Sequence, residues 1–145
     1  MKSKSSGNKA VKSSWSTTLK KEEPSLTQEW IPHDYQKRAV KVLLENLSMG
    51  LFADPGLGKT SIVLAALKIL KSKGLLKPVL LIAPLRVCYS VWPAEISKWA
   101  NFNGLTYVIL HGKDKELNLK KKADIYIINP EGLPWLVVNG RLETL

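Results

Sequence analysis

The run Ala53-Asp54-Pro55-Gly56-Leu57-Gly58-Lys59-Thr60 constrains this chain more than any other feature. It follows the phosphate-loop pattern, with alanine at the first position where glycine is commonest. Gly56 and Gly58 let backbone N–H groups turn inward as a concave nest around anionic oxygens, and a helix starting at the lysine adds its unsatisfied N-terminal donors. Lys59 then places a point positive charge at the β and γ phosphates of ATP, and the Thr60 hydroxyl can complete a Mg²⁺ shell. Lys59 and Thr60 are therefore the expected catalytic pair, with Thr60 as the expected metal ligand. The plainer alternative is a tight strand-to-helix turn in which the threonine merely starts a helix. The offsets of the glycines, Lys59 and Thr60, set between two apolar segments, favour the phosphate site.

The flanks of the loop supply those segments. Ser48 to Ala53 is short, apolar and bounded by turn formers, so it reads as a buried strand. Lys59 to Lys73 is apolar on most faces through Ile62, Val63, Ala66, Leu67 and Leu70, which predicts a helix held against a sheet, with Gly74 ending it. Upstream, Tyr35, Ala39, Val42 and Leu43 recur at helical spacing, giving an amphipathic helix over 35–47 with Asp34 as its expected N-cap and no capping box. Downstream, Val79 to Ala83, Leu105 to Leu110 and Ala123 to Asn129 read as strands. Trp92, Ile96 and Trp99 mark a helix between the first two, with Pro93 at its first position, and a short helix is expected around Lys115 to Leu119. Alternating strands and helices predict an α/β fold: a mostly parallel sheet flanked by helices, with 29–145 as the folded unit.

Composition bounds the function. Six lysines and no acid within residues 1–21 account for six units of the formal net charge of +10, so the basic excess belongs mainly to a Ser- and Lys-rich leader. Residues 1–28 are expected to be an unstructured tail, able to add affinity for a phosphate backbone without reading sequence, or simply solubilising. No apolar run approaches the roughly 20 residues that cross a bilayer, and the leader lacks the apolar stretch of a secretory signal, so a cytoplasmic, membrane-free location is the expectation. A single cysteine, Cys88, excludes a disulfide framework and a Cys-based zinc site.

With these motifs in order, the chain from about Trp30 onward resembles the first RecA-like lobe of superfamily-two helicases, most closely the Snf2-type DNA translocases in the compact form of bacteria and their phages. Pro32-His33-Asp34-Tyr35-Gln36 resembles the family element in which a glutamine reads the adenine edge, which implies that role for Gln36. Asp54-Pro55-Gly56-Leu57-Gly58-Lys59-Thr60 resembles the family's nucleotide loop, so all seven residues are implied to contact the cofactor. Pro78 to Pro84, followed by Trp92, Glu95 and Lys98-Trp99, resembles the next motif, whose loop touches the DNA backbone; Arg86 is the matching basic side chain. Trp92 and Trp99 are expected to pack, and His33 and His111 to serve local hydrogen bonds. Asp124 to Leu133 resembles the later strand-Asn-helix pattern.

The resemblance implies ATP and Mg²⁺ as ligands and a DNA backbone, duplex in this family, as partner. It also implies an acidic Asp-Glu motif and a second lobe, and neither is found in these residues. The expectation is a fragment: the ATP-binding portion of a translocase, inactive in hydrolysis alone, which joins the remainder of the helicase core in cis or as a second chain. Val137, Val138 and Leu142 are expected to cover part of the sheet edge such a fragment would expose. The alternatives are a non-enzymatic nucleotide- or DNA-binding module and, less favoured for want of an acceptor-activating carboxylate, a small kinase.

Overall fold

The computed structural model describes residues 27–145. Three parallel strands form the centre: β1 (Val79–Ile82), β2 (Tyr107–Ile109) and β3 (Ile125–Ile128), in the spatial order β1-β3-β2. Val79 to Ile82 lies in register with Ile125 to Ile128, and Tyr107 to Ile109 with Ile125 to Ile127. β3 is central and paired along both edges, helices cover both of its faces, and the side-chain period of two divides its residues between two cores.

Ile125 and Ile127 point into the larger core. There they meet α1 (Asp34–Glu45) through Val40, α2 (Lys59–Ser72) through Ile62, Leu64 and Ala65, and α3 (Leu85–Lys98) through Cys88 and Ile96. Tyr126 and Ile128 point the other way, toward Leu119 of α4 (Lys115–Leu119) and Leu136 of α5 (Leu133–Val137). The result is an α/β domain with helices on both faces of a parallel sheet.

Local chemistry fixes the ends of α2. Gly58 forms its N-cap with φ 76°, and Gly74 follows its C-cap with φ 69°. At the C-terminus the Gly74 N–H donates to Lys71 (3.0 Å) and the Leu75 N–H to Leu70 (2.9 Å), the paired bonds of a left-handed glycine stop. Lys71, in the last turn, then reaches Asp124 at the amino end of β3, Nζ to Oδ2 2.6 Å. A 14-residue helix is about 21 Å long. Anchoring its C-terminus at the start of β3 therefore places its N-terminus, and the glycine loop before it, at the carboxyl ends of the strands.

Several expectations are corrected. Ser48 to Ala53 forms no strand, and Phe52 within it is exposed. No described segment runs beside it to take up its backbone groups, and an extended segment without a neighbour has no ladder. Pro93 does not open its helix; α3 starts at Leu85 behind Pro84 and carries Pro93 inside. The proline removes one donor, but the carbonyl that loses it belongs to the exposed Tyr89 and can be met by water. The N-cap of α1 is His33, and the Gln36 side chain accepts from the His33 N–H (2.9 Å), supplying the return bond expected to be missing. Val137, Val138 and Leu142 are exposed and do not cover the sheet; Leu136 is the buried residue there.

The expected tail lies, as far as residue 26, outside the described residues. Gln28 is already part of the fold, pairing in parallel with Trp99 and accepting from the Ala100 N–H at 2.9 Å. Among the described residues no helix is long and apolar enough to cross a membrane.

Candidate nucleotide site

A cavity of about 550 Å³ opens beside the N-terminus of α2. Gly56, Gly58, Lys59, Thr60 and Ser61 line one side with Gln36 of α1 against them, Trp30 and His33 another, and Glu95 of α3 and the following Trp99 a third. The elements above explain the convergence. The segment from Gln28 is pinned to the end of α3 by its pairing with Trp99, and to the following turn by the Trp30 N–H on Asn101 Oδ1 (2.6 Å). It then passes along the cavity to α1, whose first turn carries Gln36.

Gly58 sits where any side chain would be strained. Its φ of 76° is left-handed, and a Cβ there would lie 2.5 Å from Gln36 Nε2. That closeness is used: Gln36 Nε2 donates to the Leu57 carbonyl (3.2 Å), as does the Tyr35 hydroxyl (2.9 Å), so α1 grips the loop directly. Gln36 is 5% exposed yet retains one amide hydrogen and one oxygen lone pair beyond these bonds.

The start of α2 is electrostatically open to an anion. Its first turn contains no acidic residue, and no side chain caps it. The first intrahelical bond runs from the Ile62 N–H to the Gly58 carbonyl (3.0 Å), which leaves the earlier N–H groups without helical acceptors. Lys59 Nζ is held over the loop by the carbonyls of Ala53 (2.6 Å) and Asp54 (3.0 Å). Phosphate oxygens, as charged acceptors, make stronger bonds to an ammonium than such carbonyls do. Thr60 stands next to it in the same turn and lines the cavity.

The other expected residues divide. Asp54, Pro55 and Leu57 are exposed on the loop and outside the cavity lining, Leu57 acting through its carbonyl. Arg86 is not on a loop but in the first turn of α3, exposed beyond the end of β1 and apart from the cavity. Trp92 packs on the main core, as expected. Trp99 packs there too, but it also walls the cavity, a position its sequence pattern did not signal.

His111 accepts or donates one hydrogen bond with the Tyr89 hydroxyl (3.0 Å), the local role expected of it, while His33 stacks on Tyr35. The Cys88 thiol is pushed up by burial and bonds the Ala83 carbonyl, so it stays protonated and inert. Asp124 and Glu131 both serve structure: Asp124 binds Lys71 and Thr106, and Glu131 Oε2 accepts from Asn129 Nδ2 at 2.7 Å. Among the described residues there is no cluster of three or more His, Cys, Asp or Glu side chains that could hold a metal unaided.

With this geometry, comparison with known proteins is informative. The profile of the SNF2-related domain matches residues 35–134. The chain is 36% identical over 110 residues to protein p41 of Acyrthosiphon pisum secondary endosymbiont phage 1, a match covering 73% of this chain and 24% of that one. Its fold is similar to the Sulfolobus solfataricus SWI2/SNF2 ATPase core in complex with double-stranded DNA, with a TM-score of 0.60 and 27% identity, covering 81% of this chain and 24% of the other. The chain thus spans about a quarter of the length of these relatives. The sheet, the order of the motifs and the matched residues agree on the RecA-like fold, and the chain belongs to the SNF2-related domain family.

Proposed function

We propose that residues 29–145 form the ATP-binding portion of a DNA-dependent, helicase-like translocase. The observation that carries this reading is the uncapped N-terminus of α2 joined to a left-handed Gly58 and a lysine poised above the loop. These parts suit a triphosphate. Inward N–H groups and the helix dipole meet spread negative charge, and Lys59 exchanges loop carbonyls for phosphate oxygens. The spare hydrogen and lone pair of Gln36 match the N7 acceptor and N6 donor of adenine.

Mg²⁺ would be held by the Thr60 hydroxyl together with phosphate oxygens, and when bound it neutralises charge on the β and γ phosphates. Hydrolysis needs a carboxylate opposite Thr60 to orient water. Glu95, in the cavity wall, accepts from Ser61 and Trp99, Asp124 and Glu131 are bonded elsewhere in the fold, and no Asp-Glu pair occurs in the sequence. Turnover is therefore assigned to the protein only in company with the rest of a helicase core, in cis or as a second chain. Among the described residues the outer edge of β1 carries no partner strand, and with Ile82 half exposed it is a surface on which further strands could pair. Arg86, at the carboxyl end of β1, is the side chain best placed for a DNA phosphate, and contact there would carry affinity without sequence readout.

Calorimetric titration of the chain with ATP, with and without Mg²⁺, followed by phosphate-release assays with added duplex DNA, tests this reading. Binding in the first experiment with no DNA-stimulated release in the second is expected. The absence of any ATP binding would reject it.

A further inference from the structure

One carboxylate oxygen in the cavity wall accepts two side-chain donors. Glu95 Oε2 receives the Ser61 hydroxyl (3.0 Å) and the Trp99 indole N–H (2.7 Å). Both donors need an acceptor: Ser61 is 4% exposed, and Trp99 is half-buried with its ring packed on the main core. Their positions are informative. Ser61 directly follows Thr60 in the first turn of α2, at the phosphate end. Trp99 lines the cavity, and its backbone pairs with Gln28, from which the chain runs through Trp30 and His33 to Gln36. A single atom of α3 thereby joins Trp99 to the first turn of α2.

We propose that Glu95 is a positioning residue for the nucleoside end of this cavity, setting Trp99 and the segment paired to it at a fixed distance from the phosphate loop. The proposal rests on the nucleotide reading of the cavity given above. A carboxylate facing an anion site weakens anion binding by Coulomb repulsion. What Glu95 contributes is accordingly its acceptor oxygen and not its charge. Glutamine keeps such an oxygen and alanine does not. The phosphate cradle is built by Gly58, Lys59 and the α2 N-terminus, and Lys59 with the loop carbonyls that hold it makes no bond to Glu95 or Trp99. The two halves of the ligand therefore report separately.

The test is calorimetric titration of the parent chain, Glu95→Ala, Glu95→Gln and Trp99→Phe with ATP and with inorganic tripolyphosphate. Expected for Glu95→Ala is a loss of about tenfold for ATP, of the order of one charge-assisted hydrogen bond, with tripolyphosphate unchanged. Glu95→Gln should bind ATP as tightly as the parent or more so. Trp99→Phe keeps a ring but loses the N–H; an ATP loss of about threefold is expected, which tests the same contact should Glu95→Ala not fold. Unchanged ATP affinity in Glu95→Ala or Trp99→Phe overturns the proposal. Equal losses of ATP and tripolyphosphate also overturn it, by reducing Glu95 to a brace for the whole fold. A parent chain that binds neither ligand instead refutes the nucleotide reading itself, and this assignment falls with it.

Discussion

Three donors converge on one oxygen of Asp124: Lys71 Nζ at 2.6 Å, the Thr106 N–H at 2.8 Å and the Thr106 hydroxyl at 3.0 Å. Burial pushes this carboxyl up, but the Lys71 and Thr106 bonds more than offset that and hold it below the ordinary carboxylate value. A carboxyl whose folded pKa is depressed contributes stability fully present above the unfolded pKa of about 3.9, and that contribution is lost as pH falls through the folded value. Asp124→Asn should cost about 1–2 kcal/mol at neutral pH. In urea unfolding, the gap between variant and parent should close on acidification; a gap constant down to pH values well below the carboxylate range would contradict the assignment. Asp124 is thus a joint between α2 and the strand starts, a role that its place in the sequence did not signal. Gln36 was singled out only through the resemblance of Pro32 to Gln36 to a family element, not by any spacing of its own. The partnership of Glu95 with Ser61, 34 residues away, was not legible, because spacing along the chain reports only contacts within one element.

At the scale of elements, α2 was readable almost to the residue, since its pattern, its glycine stop and the loop before it are all local signals. The strand expected at Ser48 to Ala53 fails for the opposite reason. Apolar content makes a segment fit for a sheet, but a strand exists only when a neighbour accepts its N–H and C=O groups. Among the described residues the sheet ends at β1, and this segment lies outside its ladder. Amide hydrogen exchange should show the contrast: Ile125 to Ile127, paired on both sides, among the slowest, and Leu51 to Ala53 among the fastest of the described residues. Protection at Leu51 to Ala53 equal to that of β3 would mean that the segment pairs after all. The start of α3 was obscured by Pro93, which resembles a first-turn proline but is tolerated inside a helix where the carbonyl it orphans faces water.

For the whole molecule, the family and the layered α/β architecture followed from several motifs in the right order, each set on the element its chemistry requires. The spatial order of the strands and the open edge of β1 did not follow, because they depend on which segments lie side by side. The central claim is that an inward-facing loop, the N-terminus of α2 and the Lys59 ammonium together hold the phosphates of ATP. The measurement that bears on it most directly is calorimetric titration of Lys59→Ala with Mg²⁺-ATP, alongside far-ultraviolet circular dichroism. Lys59 is half-buried and bonds only loop carbonyls, so the variant should keep the parent spectrum and lose measurable ATP binding. A Lys59→Ala protein that folds and binds ATP as the parent does would contradict the account.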